Sequence, residues 1–267
     1  MSIKFADISE HQSTFDANGY LNAGTKVIIC RTHSGYRQDK ALPSRMTQIR
    51  STGFVCVGWY QYLAADRDAA AQAREYIATI GQLKANEFAI VDIEEGSGNQ
   101  APRADAWFAV VDPWAKTKAT LYSGASFLND RLGGTGRYGN RPLWIASYPN
   151  SYSANTALYP KGATFWQYSD RERFTGLSGA VDGNYYANSA AELLTAVKGK
   201  AAPAPAPTPT PAEDDMANIT SVVKNNGDIV TFVIDNDGVV WRRAQANGKW
   251  QDTWTRMGKP GSTAAKK

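Results

Sequence analysis

Eight short apolar runs occupy the first 200 residues, and longer stretches with helical periodicity separate them. Most of the runs are rich in β-branched and aromatic residues, as buried strands are. The runs cover residues 3–8, 26–31, 54–62, 88–94, 119–122, 143–148, 163–168 and 180–183. Eight strands interleaved with helices over about 200 residues predict an α/β fold, a small parallel (β/α) barrel of the TIM type.

The stretches between the runs predict regular helices in some places and irregular structure in others. Residues 66–83, 103–115 and 190–197 carry apolar residues at helical spacing. Residues 123–142 and 149–162 are rich in Gly, Asn, Pro and Tyr. We therefore expect short helices or none in these two connections, and an irregular second half of the barrel.

A proline-rich segment at residues 201–215 divides the chain. Its sequence, AAPAPAPTPTPAEDD, holds five of the twelve prolines and predicts an extended, semi-rigid spacer. We expect a barrel domain at residues 1–200 and a small all-β domain at residues 216–267.

Composition argues against several classes of protein. The 29 basic and 25 acidic residues give a net charge of +4 without a basic cluster, so no nucleic-acid partner is expected. Cys30 and Cys56 lie in apolar runs and are interpreted as buried, reduced thiols of a protein made in the cytosol. The N-terminal residues lack a secretory pattern, and no apolar stretch approaches about 18 residues, so we expect neither export nor membrane insertion. The two histidines, His11 and His33, are too far apart in sequence to suggest a metal site, and no cofactor is expected.

Asp92 and Glu94 are the strongest candidates for chemistry. A period of two along residues 88–94 places both carboxylates on one face at the carboxyl end of a strand, where barrel enzymes hold their active sites. Two acids this close repel, which raises the pKa of one and leaves the other ionised. Glycosidic cleavage needs such a proton donor beside a negative group. The alternative is that these acids cap a helix or pair with Lys and Arg at the surface.

Two more acids follow the same pattern. Asp7 lies near the end of the first run and Asp182 near the end of the last. The first and last strands of a closed barrel are neighbours, so we expect these side chains to lie side by side at the mouth. Taken singly, each is more typical of a turn or cap residue. Together with Asp92 and Glu94, they favour a single site with four carboxylates.

Aromatic residues near the ends of the runs are candidates for stacking on sugar rings. We predict substrate contacts by Tyr60, Tyr62, Tyr148, Trp166 and Tyr168. The alternative is that aromatic residues on barrel strands fill the core, and we favour it for Trp144.

Five segments resemble the successive signatures of the glycoside hydrolase family 25 muramidases, in family order between residues 3 and 185. They are DISEHQ at 7–12, DIE at 92–94, LWIASY at 143–148, FWQYS at 165–169 and VDGN at 181–184. The resemblance implies an irregular (β/α) barrel that cleaves the β-1,4 bond between N-acetylmuramic acid and N-acetylglucosamine in peptidoglycan glycan strands.

The resemblance also implies a role for each acid. Glu94 would be the proton donor, and Asp92 would orient or stabilise the acetamido group of the substrate or a glycosyl intermediate. Asp7 and Asp182 would complete the charged floor. The sequence departs from the pattern at Gln61, where many relatives carry His, and we expect altered hydrogen bonding at the rim. A protein carboxylate and the substrate's own acetamido group both stay open as nucleophiles.

Residues 216–267 predict a four-stranded antiparallel meander, since alternating residues are joined by Asn-Gly and Asp-Gly turns. Residues 235–258 resemble one blade of the tectonin-like or fucolectin-like β-propellers. The resemblance implies sugar binding, with Trp241, Trp250 and Trp254 as candidate cell-wall contacts. The alternative is that these tryptophans fill the space between blades.

A single blade exposes both edges of its sheet, so we expect copies of residues 216–267 to assemble into a homo-oligomer. Met216 directly follows the spacer, and Glu213-Asp214 can be encoded by a purine-rich stretch that resembles a ribosome-binding site. A shorter second product starting at Met216 would supply free blades.

These features predict a modular peptidoglycan hydrolase, most simply a phage endolysin. It would be made in the host cytoplasm and reach the cell wall when a separate protein opens the membrane. The alternatives are a virion tail-associated lysin and a non-catalytic wall-binding or structural protein. The presence of all four acids favours the enzyme.

Overall fold

The computed structural model describes residues 2–149 and 158–199 and, beyond them, five strands between residues 216 and 258. The chain separates into two compact units, residues 1–203 and 204–267. The predicted spacer at residues 201–215 lies outside the described residues.

Eight strands of the larger unit close a barrel, which confirms the predicted fold class. They are β1 (Ile3–Ile8), β2 (Val27–His33), β3 (Cys56–Tyr62), β4 (Glu87–Asp92), β5 (Thr120–Gly124), β6 (Leu143–Ala146), β7 (Phe165–Glu172) and β8 (Val181–Tyr186). The first seven run parallel, each to its neighbour along the chain.

The last strand corrects the expectation of an all-parallel barrel. Strand β8 is antiparallel to both β7 and β1. A parallel crossover needs about a dozen residues or more, and residues 173–180 are too few to supply one. The chain therefore turns back at the end of β7 and enters β8 from the same end of the barrel.

Seven α-helices accompany these strands in the described residues. They are α1 (Ala17–Asn22), α2 (Leu42–Ser51), α3 (Ala69–Ile80), α4 (Ala101–Ala115), α5 (Ala125–Leu132), α6 (Gly134–Tyr138) and α7 (Ala190–Lys198). Helices α5 and α6 are short, as predicted for residues 123–142. The other irregular connection, residues 149–162, is described only in part.

Alternation along the strands divides the apolar side chains between two layers. One layer packs between the barrel and its helices, and the other fills the barrel. The inner layer includes Phe5, Val27, Ile29, Phe88, Ile90, Trp144 and Phe165. Gly58 lies where a Cβ atom would come within 2.9 Å of Ile29, Phe88 and Ile90, so a residue without a side chain keeps this interior close-packed.

Helix α7 closes the base of the barrel, the end at which the parallel strands begin. Its Leu193 and Val197 belong to the same buried apolar cluster as Val27 and Cys56, at the starts of β2 and β3. Lys198 Nζ donates a hydrogen bond of 2.8 Å to the carbonyl oxygen of Ala85, just before β4. The opposite end of the barrel is therefore the open mouth.

The smaller unit holds a five-stranded antiparallel sheet. Its strands are β9 (Met216–Val223), β10 (Ile229–Asp235), β11 (Val240–Ala246), β12 (Lys249–Trp250) and β13 (Thr255–Gly258). The sequence predicted four strands, with a single strand after β11. The structure has two short strands there, β12 and β13, and both pair with β11. Trp254 lies outside the described residues, and the propeller ring stays a prediction.

Candidate active site

The mouth of the barrel brings the four predicted acids together. Asp7 faces inward two residues after Phe5 on β1, and Asp92 is the last residue of β4. Glu94 follows two residues later. Asp182 is paired in register with Asp7 across β8 and β1.

The position of Asp182 differs from the one expected. The sequence indicated the end of the last strand, whereas Asp182 is the second residue of β8. Because β8 runs antiparallel, its beginning and not its end lies at the mouth beside Asp7. The predicted proximity is therefore confirmed, but the direction of the strand behind it was wrong.

Asp7 and Asp182 form one proton-sharing pair. Burial, and then the charge on Asp7, raises the pKa of Asp182 to about 8. Burial also raises the pKa of Asp7, while hydrogen bonds from Asn184, Gln167 and Asp182 lower it. Asp182 therefore carries a proton at neutral pH, and Asp7 is its acceptor.

Asp92 and Glu94 form a second pair. Asp92 is 5% exposed, and burial raises its pKa well above the usual range, helped by the charges on Glu94 and Asp7 and opposed by Arg31. Burial raises the pKa of Glu94, a hydrogen bond with Asp92 lowers it, the charge on Asp7 raises it further, and a hydrogen bond with Tyr122 lowers it. Asp92 Oδ1 is buried and accepts no hydrogen bond from the described residues. The mouth thus holds acidic protons close to ionised carboxylates, as general acid catalysis requires.

Four further residues that the sequence analysis did not select support these acids. Gln167 Nε2 donates to Asp7 Oδ1 at 3.1 Å, and Asn184 Nδ2 donates to the same oxygen at 2.8 Å. Tyr122 donates to Gln167 Oε1 at 2.7 Å. Arg31 is held by Asp39, with 3.0 Å between its Nε and Asp39 Oδ2, and its charge lowers the pKa of Asp92.

Three of the five predicted aromatic contacts lie at or near the mouth. Tyr60 faces inward, 8% exposed, and contacts the edge of Trp144. Burial raises the pKa of Tyr62, and the charges on Glu95, Asp92 and Glu94 raise it further, which places its hydroxyl near the acids. Tyr148 is 44% exposed.

Trp166 and Tyr168 do not line the mouth, so the prediction for these two residues was wrong. Both are fully buried on the outer face of β7. Trp166 Nε1 donates to the carbonyl oxygen of Ser147, and its ring packs against Tyr159. Alternation explains their position: Gln167 faces the mouth, so its two neighbours face outward.

Gln61 also lies away from the rim where altered hydrogen bonding was expected. It is fully buried between β3 and the helices. Trp107 Nε1 donates to Gln61 Oε1 at 2.8 Å, and Gln61 Nε2 donates to the carbonyl oxygen of Gln72 at 3.0 Å. Its role is to join the barrel to α3 and α4. Trp144 is buried, as expected for a core residue.

An open cleft of about 460 Å³ adjoins Glu94. Its walls include Gly124, Phe127, Ser147 and Tyr148. A Cβ atom at position 124 would lie 3.9 Å from Glu94 Oε1, so the chain passes close to the carboxylate. The volume falls within the range typical of small-molecule sites.

Among the described residues, no group of three or more His, Cys, Asp or Glu side chains is placed to hold a metal ion. No helix in this part of the chain is both long and apolar enough to span a membrane.

Comparison with known proteins identifies a family. The model of Glycosyl hydrolases family 25 matches residues 6–177. Among curated proteins, the chain is 29% identical over 160 residues to the uncharacterized protein YegX of Escherichia coli K12, covering 58% of this chain and 57% of YegX. The chain thus spans little more than half the length of that relative.

Solved structures share the barrel fold. The bacterial lysozyme from Streptomyces coelicolor superposes with a TM-score of 0.63 at 23% identity, covering 74% of this chain and 98% of the lysozyme. The CTP1L endolysin, whose activity is regulated by a secondary translation product, superposes with a TM-score of 0.59 at 26% identity. That superposition covers 73% of this chain and 69% of the endolysin.

Proposed function

Because the chain belongs to family 25 of the glycosyl hydrolases, we propose that it cleaves the β-1,4 bond between N-acetylmuramic acid and N-acetylglucosamine in peptidoglycan. One observation carries the proposal: two proton-sharing carboxylate pairs meet at the mouth of the barrel, and Glu94 borders an open cleft. Such a site can donate a proton to a leaving glycosidic oxygen while it stabilises positive charge on the sugar.

Each acid has a role in this proposal. Glu94 is the proton donor, since it is exposed to the cleft and its pKa is raised. Asp92 offers its unpaired Oδ1 to the acetamido group of the substrate or stabilises a glycosyl intermediate. Asp7 and Asp182 form the floor of the site and share one proton, and Tyr60, Tyr62 and Tyr148 contact the sugars.

The test compares the wild type with Glu94→Gln on purified cell walls. We expect the wild type to lower the turbidity and release reducing ends, and Glu94→Gln to lose at least about a hundredfold in rate because general acid catalysis is removed. Glu75→Gln, on the exposed face of α3, is the matched control and should clear walls normally. Equal clearing by wild type and Glu94→Gln removes Glu94 from its role. Reducing ends on N-acetylglucosamine instead of N-acetylmuramic acid would overturn the bond assignment.

We also propose that the protein acts as a phage endolysin, made in the host cytoplasm and reaching the cell wall after membrane permeabilisation. Its similarity to an endolysin of known structure supports this role over that of a virion tail-associated lysin. The four acids support an enzyme over a non-catalytic wall-binding protein. Expression in the host with and without a pore-forming protein tests the role, because lysis should require both proteins.

For residues 216–267 we propose wall binding and assembly into an oligomer, with a shorter product that starts at Met216. The regulated endolysin offers a parallel, since a secondary translation product controls its activity. Expression of the gene should give two bands, and Met216→Leu should remove the smaller one. A single band from the wild-type gene contradicts the shorter product. Substitution of Trp241, Trp250 and Trp254 by Ala should weaken wall binding if they contact sugars.

A further inference from the structure

Gln167 occupies the junction between the two carboxylate pairs. Its side chain is 2% exposed on the inward face of β7. Its Nε2 donates to Asp7 Oδ1, while its Oε1 accepts from the hydroxyls of Tyr122 and Tyr148, both at 2.7 Å. A flipped amide would place its oxygen against the Asp7 carboxylate, so only one orientation satisfies all three partners.

The partners of Gln167 reach both pairs and the cleft. Asp7 shares a proton with Asp182. The Tyr122 hydroxyl is also within hydrogen-bond reach of Glu94, and Tyr148 forms part of the cleft wall. Since Tyr122 has a single hydroxyl proton, Gln167 competes with Glu94 for it.

We propose that Gln167 is a positioning residue for the hydrolysis proposed above: it keeps Asp7 ionised, draws the Tyr122 proton away from Glu94, and fixes the Tyr148 ring at the cleft. The amide does not need to touch the reacting atoms. It determines which of the surrounding oxygen atoms carries a proton, and it fixes the positions of the Tyr122 and Tyr148 rings. This inference rests on the proposed function, because only turnover reveals it.

Many charged and titratable groups face Asp7, and each contributes to the expected pH dependence. They are Tyr20 from α1, Tyr60 from β3, Asp92 and Glu94 from β4 and the residues after it, Tyr122 from β5, Tyr148 beyond β6, and Asp182 from β8. Arg31 from β2 acts on Tyr60 and Asp92. Loss of the Gln167 donor makes Asp7 easier to protonate. Neutral Asp7 no longer repels a charge on Glu94, and the released Tyr122 proton stabilises that charge. Both effects make Glu94 easier to ionise.

The Gln167→Leu variant therefore has a defined expected profile. In the plot of kcat against pH, the acid limb should shift to higher pH by about one unit, the size expected when a carboxylate loses one hydrogen bond. The basic limb should shift to lower pH, so the pH range of activity becomes narrower. The maximal kcat should fall by about tenfold to a hundredfold because the rings lose their anchor.

Gln61→Leu is the matched control. Gln61 is as buried as Gln167, lies on a barrel strand and also makes side-chain hydrogen bonds, but it faces the helices. Its substitution should lower stability and leave both limbs of the pH profile in place. A purely structural role for Gln167 predicts the same result for both variants.

Gln167→Glu provides a near-isosteric second variant. A protonated carboxyl can donate to Asp7 and accept from both tyrosines, whereas an ionised one repels Asp7. We expect rescue of kcat at acidic pH and a new ionisation that removes activity as the pH rises. This variant keeps the size of the side chain, so it decides the question if Gln167→Leu does not fold.

The experiment measures reducing-end release by the full-length chain on purified peptidoglycan across the active pH range. If the wild type releases no reducing ends, the proposed function fails. The positioning role is overturned if the wild type is active and both Gln167 variants show the same dependence of kcat on pH as the wild type. That unchanged dependence is the result expected for the control, Gln61→Leu. A narrowed profile for Gln167→Leu, with acidic rescue by Gln167→Glu, supports it.

Discussion

Replacing Asp182 with Asn should stabilise the barrel at neutral pH. Folding raises the pKa of this carboxyl from 3.8 to about 8, first by burial and then through the charge on Asp7. Between these two values the folded state holds a proton that the unfolded chain has released. The free energy of unfolding contributed by Asp182 therefore falls as the pH rises through this interval. An amide does not titrate, and it still donates a hydrogen bond to Asp7.

The size of the effect follows from the difference between the two pKa values. About four pH units at about 1.4 kcal/mol each would give an upper limit of about 6 kcal/mol. Asp182 is only half-buried, and solvent screens its charge, so we expect Asp182→Asn to gain about 1–2 kcal/mol above pH 8. Below pH 4 both states of the wild type hold the proton, and this gain should vanish.

Urea denaturation at several pH values measures this difference directly. The surface variant Asp130→Asn serves as the control and should follow the wild-type dependence on pH. A variant Asp182→Asn that is less stable than the wild type at pH 8, or more stable by the same amount at all pH values, would refute the reasoning. Either result would mean that folding does not hold Asp182 in its protonated form.

Two further predictions concern residues that are buried away from the mouth. Trp166→Ala should cost about 3–5 kcal/mol of stability and leave KM unchanged where the variant is folded, as urea titration and kinetics can show. A raised KM without loss of stability would mean that Trp166 contacts the substrate in the cleft. Burial raises the pKa of Cys30 to about 12, so a thiol reagent should modify it only after denaturation. Rapid reaction of Cys30 in the native protein would contradict the buried position.

The sequence predicted the acids well because alternation is a local property of a strand. The inward positions of Asp7 and Asp92 follow from Phe5 and Phe88 by a period of two. The same rule, applied from Phe165, selects Gln167 and excludes Trp166 and Tyr168. Those two were chosen by residue type instead, which is why the prediction for them was wrong.

Other features depend on contacts that a sequence does not contain. The direction of β8 follows from the length of the connection before it and not from its own residues. The proton shared by Asp7 and Asp182 needs the cross-strand register that brings them opposite each other. The hydrogen bonds of Gln61 to α3 and α4 likewise arise only from tertiary packing.

The reversal of β8 also decides where the barrel can be joined to other sequence. Ser2 and Ile3 share one surface depression with Ser189 and Ala190, so the domain starts close to where its final helix begins. That helix ends on the same side, at the start of β4. Both ends of the described barrel therefore lie at its base, and sequence joined to Ser2 or Gly199 leaves the barrel at the end opposite the cleft.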